Sequence, residues 1–282
     1  MLVNFREMLG EAYEKGYAVG SFNVYNYETM RGVCDAALES GTNSVIVAFG
    51  AKYLENMSLG EAAALARALS EERSLKLCLH LDHCKSLETI YAALRAGFGS
   101  VMYDGSELPF EQNAANTARV CEAAHACGVS VEAELGSLAA GEQSHEGEKT
   151  DREIYTDPAA AAEFIEKTGV DALAVSVGTV HGLYKGEPNI RLDILEDING
   201  RCKTPLVLHG GSGIPEETIR ECIKRGIAKI NVNTEISVYA VSRLKDDFAA
   251  EKPPHLSVLS IRQREYVKET VKKYISFFGA RA

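Results

Sequence analysis

Eight short, β-branched and apolar runs recur along the chain: AVGSFNV (18–24), SVIVAF (44–49), LCLHLD (77–82), SVMYDG (100–105), SVEAEL (130–135), ALAVSV (172–177), PLVLHG (205–210) and AKINVN (228–233). Between them lie stretches such as ETMRGVCDAALESG, LETIYAALRAGF, ANTARVCEAAHACG and PEETIRECIKRG, whose apolar residues return every three or four positions before a glycine. The two periods predict strands and amphipathic helices in alternation. One helix is bounded clearly: Asp157 can cap it, Pro158 suits its first turn and Gly169 can end it. Parallel strands need a crossover, which is usually a helix, so the alternation predicts a parallel sheet. Eight such units match a single (β/α)8 TIM barrel spanning residues 1–282, since that fold takes about 250 residues. A doubly wound open sheet fits less well, because no GxGxxG follows the first strand. A last helical segment, about 260–278, places Ile261, Tyr266, Val267, Val271, Tyr274, Ile275 and Phe278 at helical spacing, and should pack on the barrel or on another subunit.

Polar residues mark the C-terminal end of nearly every predicted strand: Asn23, Asp82 and His83, Asp104, Glu132 and Glu134, Thr179 and His181, His209 and Ser212, then Asn231, Asn233 and Thr234. In a barrel these ends converge on one mouth, where active sites lie. A strand-end histidine alone more often bonds backbone. Three of them, His83, His181 and His209, at one rim point instead to a metal, because three neutral imidazoles leave tetrahedral zinc an open position. Strand alternation puts His80 and Asp82 on one face and His83 on the other unless the strand ends there, so His80 also stands as a ligand on geometry alone.

The loops HGGSG (209–213) and NVNTE (231–235) follow the seventh and eighth strands, where barrels commonly hold phosphate on backbone amides and helix N-termini. GGSG alone reads equally as an ordinary turn. The connection 137–155, SLAAGEQSHEGEKTDREIY, is long, charged and aperiodic, and reads as a mobile lid rather than a linker. Considered singly, Glu142 and His145 within it read as solvated groups.

Composition narrows the partners. A formal charge of −10 with no basic run argues against nucleic acid and against anionic membranes. No apolar run approaches the roughly 18 to 20 residues of a spanning helix, and the N-terminus lacks a secretory pattern. The seven cysteines form no CxxC pair and fall mostly within apolar patterns, so they read as reduced packing residues of a soluble, cytoplasmic protein.

LHLDHC, VEAELG, GTVHGLY, LVLHGGSG and KINVNTE, in this order, make the chain resemble the class II, metal-dependent fructose-bisphosphate and tagatose-bisphosphate aldolases. The resemblance implies an enzyme that reversibly cleaves a ketose 1,6-bisphosphate, or a related ketose 1-phosphate, to dihydroxyacetone phosphate and an aldehyde through a metal-stabilised enediolate. It implies Zn2+ on His83, His181 and His209, with Glu134 an alternative ligand supported by Glu132, Asp82 the acid–base and His80 structural. Glu142 falls at the family's loop glutamate, which moves a proton at the carbon nucleophile. Gly182, Gly210, Ser212, Asn233 and Thr234 would hold the phosphate and Asn231 the carbon skeleton, with Gly211 and Asn23 completing the substrate set. A monovalent cation (Na+ or K+) near Gly182 and a homo-oligomer, dimer or tetramer, are further implications.

The chain departs from the pattern in places. Ala139, Ala140 and Gln143 replace loop residues usual in relatives, VIVAFGAKYL lacks an expected serine, and His255 stands where many relatives place an arginine that reaches a distal phosphate. Arg262 or Arg264 is a candidate replacement. The distal end of the substrate is therefore open to an aldehyde phosphate, another anion such as a sulfonate, or an uncharged aldehyde. Rival readings are a Schiff-base aldolase, for which the sixth strand has no lysine and Lys229 stands at the wrong end of the eighth; a metallohydrolase, for which the first strand lacks HxH; and a catalytically inactive sugar-phosphate-binding or accessory subunit.

Overall fold

A computed structural model describes residues 2–145, 154–250, 252 and 254–279. Eight strands form the barrel: β1 (Val19–Asn23), β2 (Ser44–Gly50), β3 (Lys76–Cys84), β4 (Ser100–Tyr103), β5 (Ser130–Leu135), β6 (Ala172–Val175), β7 (Leu206–Leu208) and β8 (Ile227–Val232). Each pairs in parallel with its neighbour in the chain, and β1 pairs with β8, Val19 opposite Lys229 and Phe22 opposite Val232, closing the barrel. The predicted eight-stranded α/β barrel is therefore the observed fold.

Ten α-helices accompany the strands among the described residues: α1 (Phe5–Lys15), α2 (Tyr27–Glu39), α3 (Leu59–Arg73), α4 (Leu87–Ala96), α5 (Phe110–Ala126), α6 (Pro158–Thr168), α7 (Leu192–Arg201), α8 (Glu216–Lys224), α9 (Thr234–Ala249) and α10 (Leu256–Phe278). Their ends follow local chemistry. Asn26 with Thr29, and Ser58 with Glu61, form reciprocal capping boxes on α2 and α3. Asp157 accepts from the Ala160 amide at 2.8 Å to start α6, and Gly169 ends it at φ 67°.

Two apolar layers result. Outward residues of the strands, such as Val47, Leu79, Val131 and Leu208, pack under the helices in the main core. Inward residues near the strand starts, including Val19, Ile46, Cys78, Ala172, Val207 and Ala228, meet Val3, Phe5, Met8, Leu9 and Ala12 of the chain's beginning. Helix α1 therefore plugs the floor of the barrel and leaves the opposite mouth for chemistry.

Helix α10 starts four residues before the expected segment and packs on the barrel, burying Leu259, Tyr266, Val267, Val271, Tyr274, Ile275 and Phe278, with Phe278 stacked on Phe22 at 6.3 Å. Ile261, expected on the apolar side, is instead 53% exposed. The connection 137–155 carries structure at its base: Ser137 bridges Ile154, Ala139–Ala140 runs parallel to Val180–His181, and Glu142 bridges Leu183. The expected lid falls partly on residues 146–153, outside the described residues. Among the described residues no helix is long and apolar enough to cross a membrane.

Candidate active site

The mouth gathers the strand-end residues. β3 runs through Cys84, and strict alternation would turn His83 away from the interior. Its backbone instead takes the left-handed conformation at φ 46°, and the register with β4 breaks between Leu81 and Cys84. Asp82 and His83 consequently both belong to the site. His181 sits in the two-residue pair beyond β6, and His209 directly follows β7. Ligand atoms of His83, His181 and His209 all lie within 4.8 Å of one another, as do those of His83, Asp104 and Glu134.

Hydrogen bonds set the imidazoles' proton positions. The His209 Nε2 lies 2.8 Å from Glu132 Oε1, and the His83 Nδ1 lies 3.1 Å from Asp104 Oδ2. An ionised carboxylate only accepts, so both ring nitrogens carry hydrogen. Their other nitrogens, His83 Nε2 and His209 Nδ1, then face each other at 2.9 Å. Two lone pairs at that separation repel unless a cation or a proton lies between them. Burial opposes a charge on His83, yet the hydrogen bond to Asp104 and the nearby Asp82 outweigh it and raise its proton affinity well above the ordinary value. Burial, with His83 and His209 adjacent, lowers that of His181, which stays neutral.

The donor set fits a divalent cation. Besides the facing nitrogens, the buried His181 Nε2 and Glu134 Oε2 have no hydrogen-bond partner among the described residues. Burial and the neighbouring Asp104 push the Glu134 carboxyl up to about 8, so ligation by it releases a proton. Carboxylates behind the imidazoles are the arrangement that orients histidine ligands.

Asp82 is wholly buried. The Asn23 Nδ2 donates to one of its oxygens at 3.0 Å and the Asn231 Nδ2 to the other at 3.2 Å. Burial alone would raise its pKa, but His83, Lys229 and His80 outweigh it and hold it well below the carboxylate range. His80 stays beneath the cluster, Nδ1 2.9 Å from Ser100 Oγ and its ring 4.8 Å from Phe5, whereas it is His83 whose ligand atom lies with those of His181 and His209. Burial and Lys229 lower His80 to about 3, and it is neutral.

One placement differs from expectation. Glu132 does not support Glu134; it bonds His209 and the buried Lys229, whose Nζ lies 2.8 Å from Oε2. Burial would raise Glu132, but Lys229 and the His209 bond prevail and bring it to about 2. Lys229 itself lies near the start of β8, as expected, and what the sequence reading did not give is that its side chain is wholly buried against Glu132. Alternation carried the signal, because Lys229 is two residues before the inward Asn231. Asp104 was legible as a polar strand end but not as the partner of His83.

His181, Gly182, Gly210, Ser212, Asn231, Asn233 and Thr234 line one small cavity beside the imidazoles. Gly210 has φ 68°, and a Cβ there would fall 2.2 Å from the Val180 carbonyl oxygen; Gly182 has φ 119°, and a Cβ there would fall 2.5 Å from the Glu142 carbonyl oxygen. Helix α9 starts at Thr234 without a side-chain cap from Asn233, which engages Tyr25 and Tyr53 instead. The helix N-terminus thus opens beside this cavity, with the Glu235 amide donating to Ser212 Oγ at 3.2 Å. Gly211 is not in the lining, and its amide is spent on Asn231 O at 2.9 Å. Glu142 is tied through its backbone to Leu183, with its side chain exposed outside the buried cluster. His255 caps α10 by accepting from Ser257 N at 3.3 Å; Arg262 pairs with Asp247, and Arg264 with Glu265 at 3.1 Å.

A closed parallel barrel with buried imidazoles and carboxylates at its mouth is the frame of a barrel enzyme. The chain belongs to the class-II fructose-bisphosphate aldolase family, whose model matches residues 3–282. It is 41% identical over 287 residues to a Staphylococcus aureus fructose-bisphosphate aldolase, covering 99% of this chain and 97% of that one. It is 36% identical over 279 residues to a sulfofructosephosphate aldolase of Alkalicoccus urumqiensis, covering 99% and 96%. The crystal structure of the YdjI aldolase from Escherichia coli K12 matches 100% of this chain and 99% of its own with a TM-score of 0.87 and 33% identity.

Proposed function

We propose that the protein is a zinc-dependent aldolase that reversibly cleaves a ketose phosphate to dihydroxyacetone phosphate and an aldehyde. The single observation that supports this most is the 2.9 Å approach of two imidazole nitrogens whose opposite nitrogens are both engaged by carboxylates. His83, His181 and His209 would hold the ion, with Glu134 in reach as a further ligand. When bound, zinc supplies a positive field for the negative charge that develops on the ketose oxygens.

The remaining roles belong to the chain. Asp82, fixed by the Asn23 and Asn231 amides, would take the hydroxyl proton that starts cleavage and return it in condensation. The cavity bounded by Gly182, Gly210, Ser212, Asn233 and Thr234 would anchor the phosphate of the dihydroxyacetone half, and a monovalent cation near Gly182 would balance its charge. Glu142 would serve the proton at the nucleophilic carbon once the connection 137–155 covers the substrate. The engagement of Arg262 with Asp247 and of Arg264 with Glu265, and the capping role of His255, favour a distal end that neither of these two arginines grips. A ketose 1-phosphate whose far end is uncharged suits this site better than a bisphosphate. A cytoplasmic homo-oligomer, dimer or tetramer, completes the reading.

Purified protein stripped by a chelator should lose cleavage of ketose 1-phosphates and regain it with zinc, and borohydride with substrate should leave no adduct. Cleavage of fructose 1,6-bisphosphate in strong preference to ketose 1-phosphates would remove the distal-end assignment. Full zinc loading without turnover on any ketose phosphate would leave an accessory sugar-phosphate-binding subunit instead.

A further inference from the structure

We propose that Lys229 is a positioning residue for the metal centre, acting through Glu132 on His209. Lys229 is wholly buried in the middle of β8, above the Phe5 ring of the floor helix at 5.6 Å. Its ammonium lies 2.8 Å from Glu132 Oε2 and 3.2 Å from Oε1, and among the described residues Glu132 is the one carboxylate within ion-pair distance of it. A buried ammonium strongly requires such a partner, so the carboxylate is pinned from below. From above, the same carboxylate accepts from His209 Nε2 at 2.8 Å. On a third side stands the His80 ring, 3.7 Å from Oε2 and itself wedged between Ser100 and Phe5.

The consequence reaches the ligand atom. A carboxylate held in this place keeps the hydrogen of His209 on Nε2 and leaves the Nδ1 lone pair directed at His83 Nε2, the place where the imidazoles converge. Among the described residues Lys229 makes no hydrogen bond or ion pair to a ligand nitrogen and is not part of the cavity lining, so its contribution is orientation. The assignment rests on the metal reading above and extends it to a residue one layer below the ligands.

The test uses the full chain, stripped and titrated with zinc against a competing chelator, with the visible spectrum of the cobalt-substituted protein as a second readout. Lys229→Met and the double variant Lys229→Met/Glu132→Gln are each expected to bind zinc about 10- to 100-fold more weakly, with a shifted cobalt spectrum and native circular dichroism. The double variant leaves no unpaired buried charge, and Glu132→Gln alone is its reference: a Lys229 that acts through Glu132 makes the double variant bind zinc no more weakly than Glu132→Gln, and a further loss overturns the proposal. Wild-type affinity and spectrum in either folded variant overturns the proposal while leaving the metal centre intact. Failure of the unaltered chain to bind zinc removes both.

Discussion

At the scale of single residues, the site depends on one backbone conformation that periodicity cannot reveal. Asp82 and His83 are consecutive, and a regular strand would send them to opposite faces. The left-handed turn at His83 brings both inside, which is why the sequence left His80 and His83 as alternatives. A β-carbon in that region costs about 1–2 kcal/mol. His83→Gly should therefore unfold at higher denaturant than His83→Ala, by about 1 kcal/mol, while neither variant binds zinc. Equal stability of the two would contradict the strain. Asp82→Asn keeps the shape and the space but gives up the base. Turnover should fall about 10²- to 10⁴-fold with KM little changed, and steady-state kinetics reads the two separately. Gly210→Ala must either push back the Val180 carbonyl or move the phosphate loop. It should raise KM for ketose phosphates and lower Tm, whereas an unaltered KM would place the phosphate elsewhere.

At the scale of elements, the strands were legible because buried parallel strands read as continuous apolar runs with turn residues between them. Helix ends were equally plain where a cap residue and a glycine bracket the run, as Asp157 and Gly169 do around α6. The pairing of Ala139–Ala140 with Val180–His181 was not, since two-residue strands leave no periodic trace. Nor was the partner of Glu132. Its face followed from alternation, but the choice between Glu134 and Lys229 depends on contacts across the barrel, which only register determines. The floor helix α1 offers a direct check on the inner layer. Phe5 is fully buried against His80, and Phe5→Ala should cost about 3–5 kcal/mol in denaturant unfolding. A loss below about 1 kcal/mol would mean that the helix merely lies against the barrel.

At the scale of the whole molecule, the candidate ligands join β3, the turn beyond β6 and the end of β7, so a bound ion links parts of the chain far apart in sequence. Zinc at one hundred times its dissociation constant should stabilise the native state by about 2.7 kcal/mol. Calorimetry should show this as a rise in Tm that a chelator reverses and that His83→Ala abolishes. Cysteine chemistry reports on the same fold. Six of the seven thiols are buried and Cys127 is exposed; burial pushes Cys34, Cys78, Cys121 and Cys222 up to about 12. A disulfide-exchange reagent should titrate one thiol quickly in the native protein and all seven after unfolding. The pairing of β1 with β8 has a further consequence during synthesis. A growing polypeptide on the ribosome has no partner for the outer edge of its first strand until the eighth emerges, and every shorter nascent piece exposes two unpaired, apolar borders. The chain is thus most prone to sticking to its neighbours while the eighth strand is still unmade, when seven strands exist but the ring is open.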